Sequence, residues 1–350
     1  MSRVYIVLLN WNNWPDTLEC LESLLALDYS DYRIILCDNA SSDGSLEHIQ
    51  AWAAGNLDIV AENRSLLLGH QSYPKPLPIN LYEASAFGIK NASENASLIT
   101  IIRNPHNLGF AGGCNAGLRY ALDRGNADYC WVLNNDTVVD SQALSALVKR
   151  MQVRPDAGIC GSSILKYRRP AIVDALGGAW YSKWLGLAWH LGRGRRLPKT
   201  IDPDLVEKRI DYIVGSSMLV SRRFLLDVGL MNGAYFLYYE EIDWALRSKG
   251  RFSLAYAPDS LVYHKIGGSI GTNSHPKTKS LVSDFYTMRN RLKFTRQYFP
   301  YALPAIYLGL IGAVVLRLLC GQWQKAIMVC RIMFDHNVSF ERVKTAKGVS

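Results

Sequence analysis

Short apolar stretches alternate with stretches of helical periodicity through the first half of the chain, and this alternation restricts the fold more than any other feature. The apolar stretches favour strands, at residues 4–9, 33–37, 97–102 and 129–133. Between them, apolar residues recur at helical spacing, at residues 16–27, 46–54 and 114–124. Strands that alternate with helices in this way predict an α/β fold with a mainly parallel central sheet, covered by helices on both faces.

Each predicted strand ends in polar side chains. Asn10 follows the first strand, Asp38 the second and Asn104 the third, and the fourth ends in Asn134, Asn135 and Asp136. Because sheets of this kind bind ligands beyond the carboxyl ends of their strands, these side chains should lie along one edge. The last cluster alone fits either an ordinary turn or a metal site that holds a phosphate-bearing substrate. Four polar strand ends at one edge favour the site.

A glycine-rich run precedes the predicted helix near residue 114. It contains Gly109, Gly112, Gly113 and Gly117. Glycines allow close backbone approach, and the N-terminus of the following helix attracts phosphate through its free N–H groups. The alternative is a plain glycine-rich connection. The spacing matches neither a Walker loop nor the dinucleotide-binding fingerprint, so those two functions are excluded.

A second acidic cluster lies in residues 235–250. Glu240, Asp243, Trp244 and Arg247 fall at helical spacing and share one face, whereas Glu241 points elsewhere in the first turn. An aromatic run precedes Glu241 and could desolvate it, which would raise its pKa towards that of a general base. The alternative is a capped helix with acidic residues near its positive end.

His264 closes a further predicted strand after the acidic helix. A lone histidine is more often structural than functional. Imidazole is nevertheless a common metal ligand, and an Asp and a His that meet at the sheet edge could hold Mg²⁺ or Mn²⁺ together with substrate phosphates.

The composition indicates a folded, intracellular protein. Hydrophobic residues make up 49% of the chain and charged residues 20%, which excludes disorder. The seven cysteines are scattered, without a Cys-x-x-Cys pair, and are typical of buried residues in a reducing compartment. The apolar run at residues 4–9 is too short for a signal peptide, so we expect a cytoplasmic body.

The positive charge is concentrated at the C-terminus. From residue 281 onward there are ten Lys and Arg and three Asp and Glu, which is +7 of the formal net charge of +9. Such a tail suggests an anionic partner, either lipid headgroups or nucleic acid, but no nucleic-acid-binding motif is present. The apolar stretch 301–321 is about long enough to span a bilayer, although Pro304 and Arg317 interrupt it. We favour a membrane-surface or partly inserted helical hairpin over a spanning helix or a helix packed on the body.

A basic loop with Arg193, Arg195, Arg196 and Lys199 lies between the two acidic clusters, together with Lys166, Arg168 and Arg169. It has two interpretations: a solvated loop, or an acceptor site for a lipid diphosphate.

Six motifs in order carry a family resemblance. They are Asn-Trp-Asn at 10–12, "DNASSDGS", "NLGFAGGCNAG", "LNNDT", "GSSMLVSR" and "FLYYEEIDWALR". Over about residues 3–300 the chain resembles the inverting glycosyltransferases of family 2, among them the rhamnosyltransferase-like members. The resemblance implies the GT-A fold, a Rossmann-like nucleotide-diphospho-sugar transferase fold.

The resemblance also implies roles for individual residues. By this resemblance, the residues that bind the nucleotide-sugar are Asn10, Asp38, Gly109, Phe110, Ala111, Gly113, Asn134 and Asn135. Asp136 and His264 would bind a Mg²⁺ or Mn²⁺ ion. The catalytic residues would be Glu241, as general base, and Asp243. Two departures stand out: the family's Asp-x-Asp motif keeps one carboxylate here, and its usual Glu-Asp pair is Glu240-Glu241.

Together these expectations describe an enzyme with a helical appendage. We expect a GT-A glycosyltransferase domain at 1–283, with an insertion at about 56–97, and a basic, helical, membrane-associating segment at 284–350. It would transfer rhamnose or another hexose from a nucleotide-diphosphate donor to a hydroxyl of a glycan or lipid-linked acceptor, in cell-surface polysaccharide assembly. The alternative is a non-catalytic nucleotide-sugar-binding protein. We expect the protein to lie on the inner face of the cell membrane and to have no nucleic-acid partner. Homo-oligomerisation is left open.

Overall fold

Two sheets and the helices around them form the body in the computed structural model, which describes residues 1–59, 61–63, 66, 73–84, 97–265, 280–335 and 338–341. The strands are β1 Val4–Asn10, β2 Tyr32–Asp38, β3 Ile79–Glu83, β4 Ile99–Arg103, β5 Tyr129–Asn134, β6 Thr137–Val139, β7 Ala157–Lys166, β8 Arg169–Leu176, β9 Gly178–Ser182, β10 Leu187–His190, β11 Tyr212–Ile213, β12 Ser217–Ser221 and β13 Ser253–His264. The helices are α1 Trp14–Leu25, α2 Ser45–Ala53, α3 Gly109–Asp123, α4 Ala143–Val153, α5 Pro203–Glu207, α6 Arg222–Val228, α7 Glu240–Ser248, α8 Leu281–Tyr298, α9 Leu303–Leu319 and α10 Trp323–Phe334.

The central sheet has ten strands in the described part of the chain. Strands β3, β4, β2, β1 and β5 lie side by side and are all parallel. Beyond them, β12 runs antiparallel to both β5 and β7, and β13 runs parallel to β7. The parallel half was correctly predicted from the alternation of strands and helices, whereas the antiparallel β12 was not. Strands β9, β10 and β11 form a separate antiparallel sheet.

Apolar side chains of the strands alternate between the two faces of the central sheet. In β1, Ile6 and Leu8 join a buried cluster under helices α1, α2 and α4, and Tyr5 and Val7 join a second cluster under α3, α6 and α7. Successive strand residues point to opposite faces, so a strand buried on both sides reads as one continuous apolar run. Both faces are therefore covered, as expected.

Helix α3 lies unusually close to the sheet. A Cβ on Gly117 would lie 2.7 Å from Val7 Cγ1 and 2.9 Å from Cys37 Sγ. The glycine-rich run is itself helical, because α3 begins at Gly109 and not near residue 114 as the sequence suggested. The prediction that the run precedes the helix as a loop was therefore wrong. Glycine can be accommodated in a helix where its lack of a side chain allows the helix to pack closely on a sheet.

The expected insertion at 56–97 contributes a strand to the sheet. β3 pairs in parallel with β4, from Ile79↔Ile99 to Glu83↔Arg103. The interpretation of this stretch as a loop or flap is therefore incomplete. Residues 60, 64–65, 67–72 and 85–96 lie outside the described residues.

Helix α8 joins the body to the C-terminal helices. On one side Phe294 packs with Tyr235 and Tyr239 of the body. On the other, Phe285 and Leu292 pack with apolar residues of α9 and α10. The expected division at residue 283 assigns α8 to the C-terminal segment, yet its side chains belong to both cores.

Arg317, which interrupts the apolar stretch, forms a buried ion pair with Asp284 of α8 at 2.7 Å. Pairing offsets the cost of burying the guanidinium. The helix over Pro300–Leu319 is the one found long and apolar enough to cross a membrane among the described residues, with a mean hydropathy of 2.1. Only 22% of its apolar window is buried, and Leu308 and Leu319 are 70% and 81% exposed.

We expect Gly117→Ala to destabilise the fold by about 1–3 kcal/mol, because the added methyl overpacks the interface between α3 and the sheet. Gly312→Ala in α9 is the matched control, since nothing lies within 4 Å of the methyl it adds. That substitution should be neutral or stabilising by up to about 1 kcal/mol. Urea denaturation measures both, and equal effects in the two variants would contradict the close approach of α3.

Candidate functional site

The polar strand ends meet in one hydrogen-bond network, as predicted. The Asn10 amide at the end of β1 donates to Asp38 Oδ1 at 3.0 Å, and the Thr17 hydroxyl of α1 donates to Asn10 Oδ1 at 2.8 Å. The Asn135 amide reaches the same Thr17 oxygen at 2.8 Å. All four side chains are buried. The network holds the ends of β1, β2 and β5 in fixed positions relative to one another.

Asn39 ties the end of β2 to the start of α3, and the sequence interpretation did not single it out. Its Oδ1 accepts from the backbone N–H of Leu108 at 3.0 Å, and its amide donates to Asn107 Oδ1 at 2.8 Å. Asn107 Oδ1 in turn accepts from the backbone N–H of Gly109 at 2.9 Å. This chain of amides positions the first turn of α3, where Gly109, Phe110, Ala111 and Gly113 lie.

Residues 134–136 connect β5 to β6 in a turn, a geometry that both interpretations of this cluster allow. The Thr137 hydroxyl donates to the Asn134 carbonyl at 2.7 Å, and the backbone N–H of Lys265 donates to the Asp136 carbonyl at 3.0 Å. The second contact brings the end of β13 against the turn. As a result Asp136 Oδ1 lies 3.2 Å from His264 Nε2, and the predicted pair comes together.

Asp136 and His264 keep unused ligand atoms. Within the described residues, the buried His264 Nδ1 has no hydrogen-bond partner, and the buried Asp136 Oδ1 has the ion-pair contact with His264 Nε2 but no hydrogen bond. Burial acts to raise the pKa of Asp136, but His264 outweighs it and the pKa is lowered. Burial acts to lower the pKa of His264, but the carboxylates of Asp136 and Asp174 outweigh it and the pKa is raised. The two side chains thus behave as an ion pair where a cation could replace the imidazole proton.

The donor set fits a divalent cation that a substrate helps to hold. Among the described residues no group of three or more His, Cys, Asp and Glu is close enough to bind a metal ion. One carboxylate and one imidazole suit Mn²⁺ or Mg²⁺ only when further oxygen ligands are added. A diphosphate would provide such oxygens.

Glu241 lies beside the first turn of α3. Its Oε1 is 3.4 Å from the position that a Cβ on Gly215 would take, and Phe110 Cε1 is 3.7 Å from the same position. The side chain is partly exposed, yet its Oε2 is buried without a hydrogen-bond partner in the described chain. Burial raises the pKa of Glu241 above its usual value. A raised pKa is what a general base near neutral pH requires.

The turn at residues 134–136 and Glu241 are linked through residues 214–216. The Asn134 backbone N–H donates to the Ser216 carbonyl at 3.2 Å, next to the Gly215 that Glu241 contacts. The structure therefore brings the predicted metal ligands and the predicted base to one edge of the sheet.

The loop that leads into Glu241 has a strained backbone. Phe236, Tyr238 and Tyr239 have φ values of 67°, 66° and 76°, in the left-handed region that side chains disfavour. The Asn290 amide of α8 donates to three carbonyls of this loop, at 2.9 Å to Tyr235, 2.7 Å to Leu237 and 3.1 Å to Tyr238. Asn290 was missed in the sequence because it lies about fifty positions away from the loop it holds.

The loop also meets the glycine-rich turn. The Phe110 backbone N–H donates to the Phe236 carbonyl at 2.6 Å. A Cβ on Gly109, which itself has a φ of 71°, would lie 2.2 Å from that same oxygen. Only glycine fits at position 109. Among the glycines of the run, it is the one that combines a positive φ with a close approach to another backbone.

The structure does not bring Asp243 to this edge. Its side chain is fully buried and is bound by Arg247 at 2.8 Å and by the Tyr298 hydroxyl at 2.6 Å. Glu240 is also buried, its Oε2 has no hydrogen-bond partner in the described part of the chain, and burial next to Glu241 raises its pKa well above the usual value. Asp243 and Glu240 point into the body, whereas Glu241 faces Gly215.

A cavity of about 610 Å³ opens beside this site, between β8, β10 and the basic loop. We call it the arginine cavity; its polar and aromatic lining residues are Trp180, Trp189, His190, Arg193, Arg195, Arg196 and Arg209. His190 Nδ1 lies 3.7 Å from Asp174 Oδ2. Burial acts to raise the pKa of Asp174, but His190 and then His264 outweigh it and the pKa is lowered. Asp174 thus lies within electrostatic reach of both the arginine cavity and the Asp136–His264 pair.

Comparison with known proteins identifies the family of the chain. A model of glycosyl transferase family 2 matches residues 5–65 and 85–225. The low-salt glycan biosynthesis hexosyltransferase Agl10 of Haloferax volcanii is 27% identical over 143 residues, which cover 41% of this chain. The match spans only 44% of that relative's length.

Solved structures share the fold. The mannosyltransferase PcManGT from Pyrobaculum calidifontis, in complex with GDP-Man and Mn²⁺, gives a TM-score of 0.53 at 12% identity, over 95% of this chain and 87% of that one. GalNAc-T7 with UDP, GalNAc and Mn²⁺ gives 0.56 at 14% identity, over 88% of this chain and 50% of that one. The expected GT-A fold is confirmed. Because the family model covers more than half of the sequence, the chain belongs to glycosyl transferase family 2.

Proposed function

We propose that this protein is an inverting glycosyltransferase that uses a nucleotide-diphosphate sugar and a divalent cation. The observation that carries the proposal is the buried Glu241 Oε2, which has no hydrogen-bond partner among the described residues, together with the Asp136–His264 ion pair at the same edge of the sheet. Leaving a buried carboxylate oxygen without a partner costs about 1–3 kcal/mol, so a ligand is expected at Glu241. Membership of the family supports the same reading.

Asp136 and His264 would hold the cation, and the proposal of Mg²⁺ or Mn²⁺ draws support from the Mn²⁺ in PcManGT and GalNAc-T7. A bound cation offsets the charge that builds on a departing diphosphate. The network around Asn10, Asp38 and Asn135, the adjacent Asn134, and the first turn of α3 form the surroundings that we assign to the nucleotide-sugar.

Glu241 would act as the general base. Its carboxylate accepts the proton of the acceptor hydroxyl while that oxygen bonds to the anomeric carbon from the face opposite the diphosphate. The bond from the anomeric carbon to the diphosphate oxygen breaks, and the nucleoside diphosphate leaves with the electron pair. One displacement of this kind inverts the anomeric configuration and needs no nucleophilic side chain.

For the sugar we propose rhamnose or another hexose, and for the acceptor a hydroxyl of a glycan or lipid-linked saccharide in cell-surface polysaccharide assembly. The support is the resemblance of the motifs to rhamnosyltransferase-like members and the similarity to the Haloferax relative, a hexosyltransferase of glycan biosynthesis. A non-catalytic nucleotide-sugar-binding protein is the alternative. The position of Glu241 beside Phe110 and Gly215 favours the enzyme.

We further propose that the C-terminal helices rest on the inner face of the cell membrane, and that the body stays in the cytoplasm. The support is the exposed apolar surface of α9 together with the basic residues of the tail. Apolar area and attraction to anionic lipids act together in surface-bound helices.

We expect Asp136→Asn to abolish sugar transfer and the Mn²⁺-dependent part of UDP or GDP binding, because the amide carries no charge to hold the cation. Asp140→Asn is the matched control on the same segment. Asp140 Oδ1 accepts a hydrogen bond from the backbone N–H of Gln142 at 2.9 Å, and the side-chain oxygen of asparagine can accept the same bond. Calorimetric titration with and without Mn²⁺ measures the difference. Unchanged metal-dependent binding in Asp136→Asn would remove this cation from the proposal.

We expect Glu241→Gln to keep donor affinity and to lose turnover by about 10²- to 10⁴-fold, the usual contribution of a general base. In the unsubstituted enzyme kcat should rise with pH through the raised pKa of Glu241, because only the deprotonated carboxylate accepts the proton. The Glu241→Gln profile should be flat over that range. Glu240→Gln is the control and should retain most of its turnover; if it were the inactive variant, the base would be Glu240.

We expect the protein to float with phosphatidylglycerol vesicles at low salt, and Leu308→Gln together with Leu319→Gln to weaken this flotation without changing nucleotide affinity. The control carries Leu205→Gln and Leu226→Gln, which replace leucines that are 59% and 61% exposed on the body. If the unsubstituted protein stayed with the unbound fraction, or if both double variants lost flotation equally, α9 would not be the contact surface.

A further inference from the structure

The arginine cavity carries an inference that rests on the proposed transferase function and specifies its acceptor. We propose that this cavity binds the phosphate-bearing end of the acceptor, a saccharide attached to a phosphate or diphosphate. The cavity has four features that support this: arginines without an ion pair in the described chain, an ordered backbone that holds them, an aromatic surface, and a position between Glu241 and α9.

Three arginines of the cavity lack a counter-charge. In the described chain, Arg195, Arg196 and Arg209 form no ion pair. Nearby Arg150 and Arg154 show the contrast, because both bind Glu207. All three side chains are exposed to solvent and line the same cavity, where an anion could reach them. Guanidinium groups match the geometry of phosphate oxygens.

The basic loop is fixed to the edge of β8 and is not merely solvated. The backbone N–H of Val173 donates to the Arg195 carbonyl at 2.8 Å, and those of Gly194 and Leu197 donate to Val173 and Ala171, both at 2.9 Å. Arg196 forms a bridge with Ile172. A backbone ordered in this way lowers the entropic cost of holding two arginines against a ligand.

Two tryptophans add an aromatic surface suited to sugar rings. Trp180 and Trp189 face each other across strands β9 and β10, with ring centroids 5.1 Å apart. Their side chains remain 49% and 43% exposed, which is unusual for a paired aromatic surface that no partner covers. Apolar rings beside a few placed charges are typical of sites for ligands with an apolar face and an anionic group.

The inner end of the cavity approaches the proposed base. The Val214 backbone N–H donates to the Gly177 carbonyl at 3.3 Å, one residue before the Gly215 that Glu241 contacts. Gly177 directly precedes β9, which carries Trp180, and His190 of the cavity lies within electrostatic reach of Glu241. A sugar on the cavity's aromatic surface could therefore present a hydroxyl to Glu241.

The outer end of the same hairpin approaches α9. Trp184 at its tip contacts Tyr301, next to the start of α9, with ring centroids 5.5 Å apart. The side chains of Trp184 and Leu185 are about half exposed, like the apolar face of α9. Trp184 lies in the turn that follows β9, four residues after Trp180 in the sequence. Because this turn contacts the segment that leads into α9, which we propose rests on a membrane, a lipid-linked diphosphate is the occupant that we favour.

The test uses inorganic pyrophosphate as the probe, titrated calorimetrically into the full-length protein with excess chelator, so that no metal-bound site competes. We expect binding that weakens about tenfold or more in the double variant Arg195→Gln and Arg196→Gln, since each charge-assisted hydrogen bond contributes substantially to affinity. The control, Lys199→Gln with Lys208→Gln, removes the same charge from exposed positions that do not line the cavity and should bind as the unsubstituted protein does. Arg209→Gln, on a separate segment, should also weaken binding.

Absence of pyrophosphate binding, or equal weakening in both double variants, would overturn the proposal. Its failure can be told apart from failure of the transferase function, because Mn²⁺-dependent UDP or GDP binding is measured separately on the same variants. That binding should be unchanged in Arg195→Gln with Arg196→Gln.

A second arm identifies the source of the phosphate. Phosphatidylcholine vesicles, with and without a polyprenyl diphosphate, are floated with the unsubstituted and the arginine-substituted protein. Diphosphate-dependent flotation that the arginine variant loses identifies a lipid-linked acceptor. Pyrophosphate binding without such flotation identifies a soluble phosphate-bearing saccharide.

Discussion

The site depends on one side-chain amide. Asn290 of α8 donates to the carbonyls of Tyr235, Leu237 and Tyr238, immediately before the helix that carries Glu241. Non-glycine residues in the left-handed region cost about 1–3 kcal/mol each, and this loop contains three of them in four positions. The two N–H groups of this one amide, shared among three carbonyls, oppose that cost at the point where it arises. Without it the loop would relax, and the orientation of Glu241 would be lost first.

The same loop couples parts of the chain that are far apart in sequence. Its Phe236 carbonyl accepts from the first turn of α3, which Asn39 at the end of β2 holds in turn. The turn at residues 134–136 reaches Glu241 through Ser216 and Gly215. Thus the surroundings assigned to the nucleotide-sugar, to the cation and to the base share one connected set of short contacts. Pre-organisation of this kind is what allows fixed groups to stabilise a developing charge.

Strands and helices that show a local periodicity were predicted well from the sequence. Features that depend on contacts between residues far apart in the sequence were predicted poorly. Alternating apolar runs identified β1, β2, β4 and β5, and their polar ends do meet. By contrast, β12 is antiparallel and β3 lies within a stretch interpreted as an insertion, because strand order is set by contacts that periodicity does not encode. The same reason explains why Asn290, Asn39 and Asp174 escaped notice. Helical spacing correctly grouped Glu240 with Asp243, but it could not tell which face is buried, and the structure places both inside the body.

The buried ion pair between Asp284 and Arg317 limits how α9 can meet a bilayer. To cross it, α9 would have to separate from α8 and leave the carboxylate of Asp284 unpaired. Removing one partner of a buried ion pair costs about 3–5 kcal/mol, because the charge left behind is uncompensated. The ion pair therefore holds α9 against α8 and disfavours insertion of α9 across the bilayer. Binding of α9 to a lipid surface would then be reversible, and it would leave α8 and the contacts of Asn290 undisturbed.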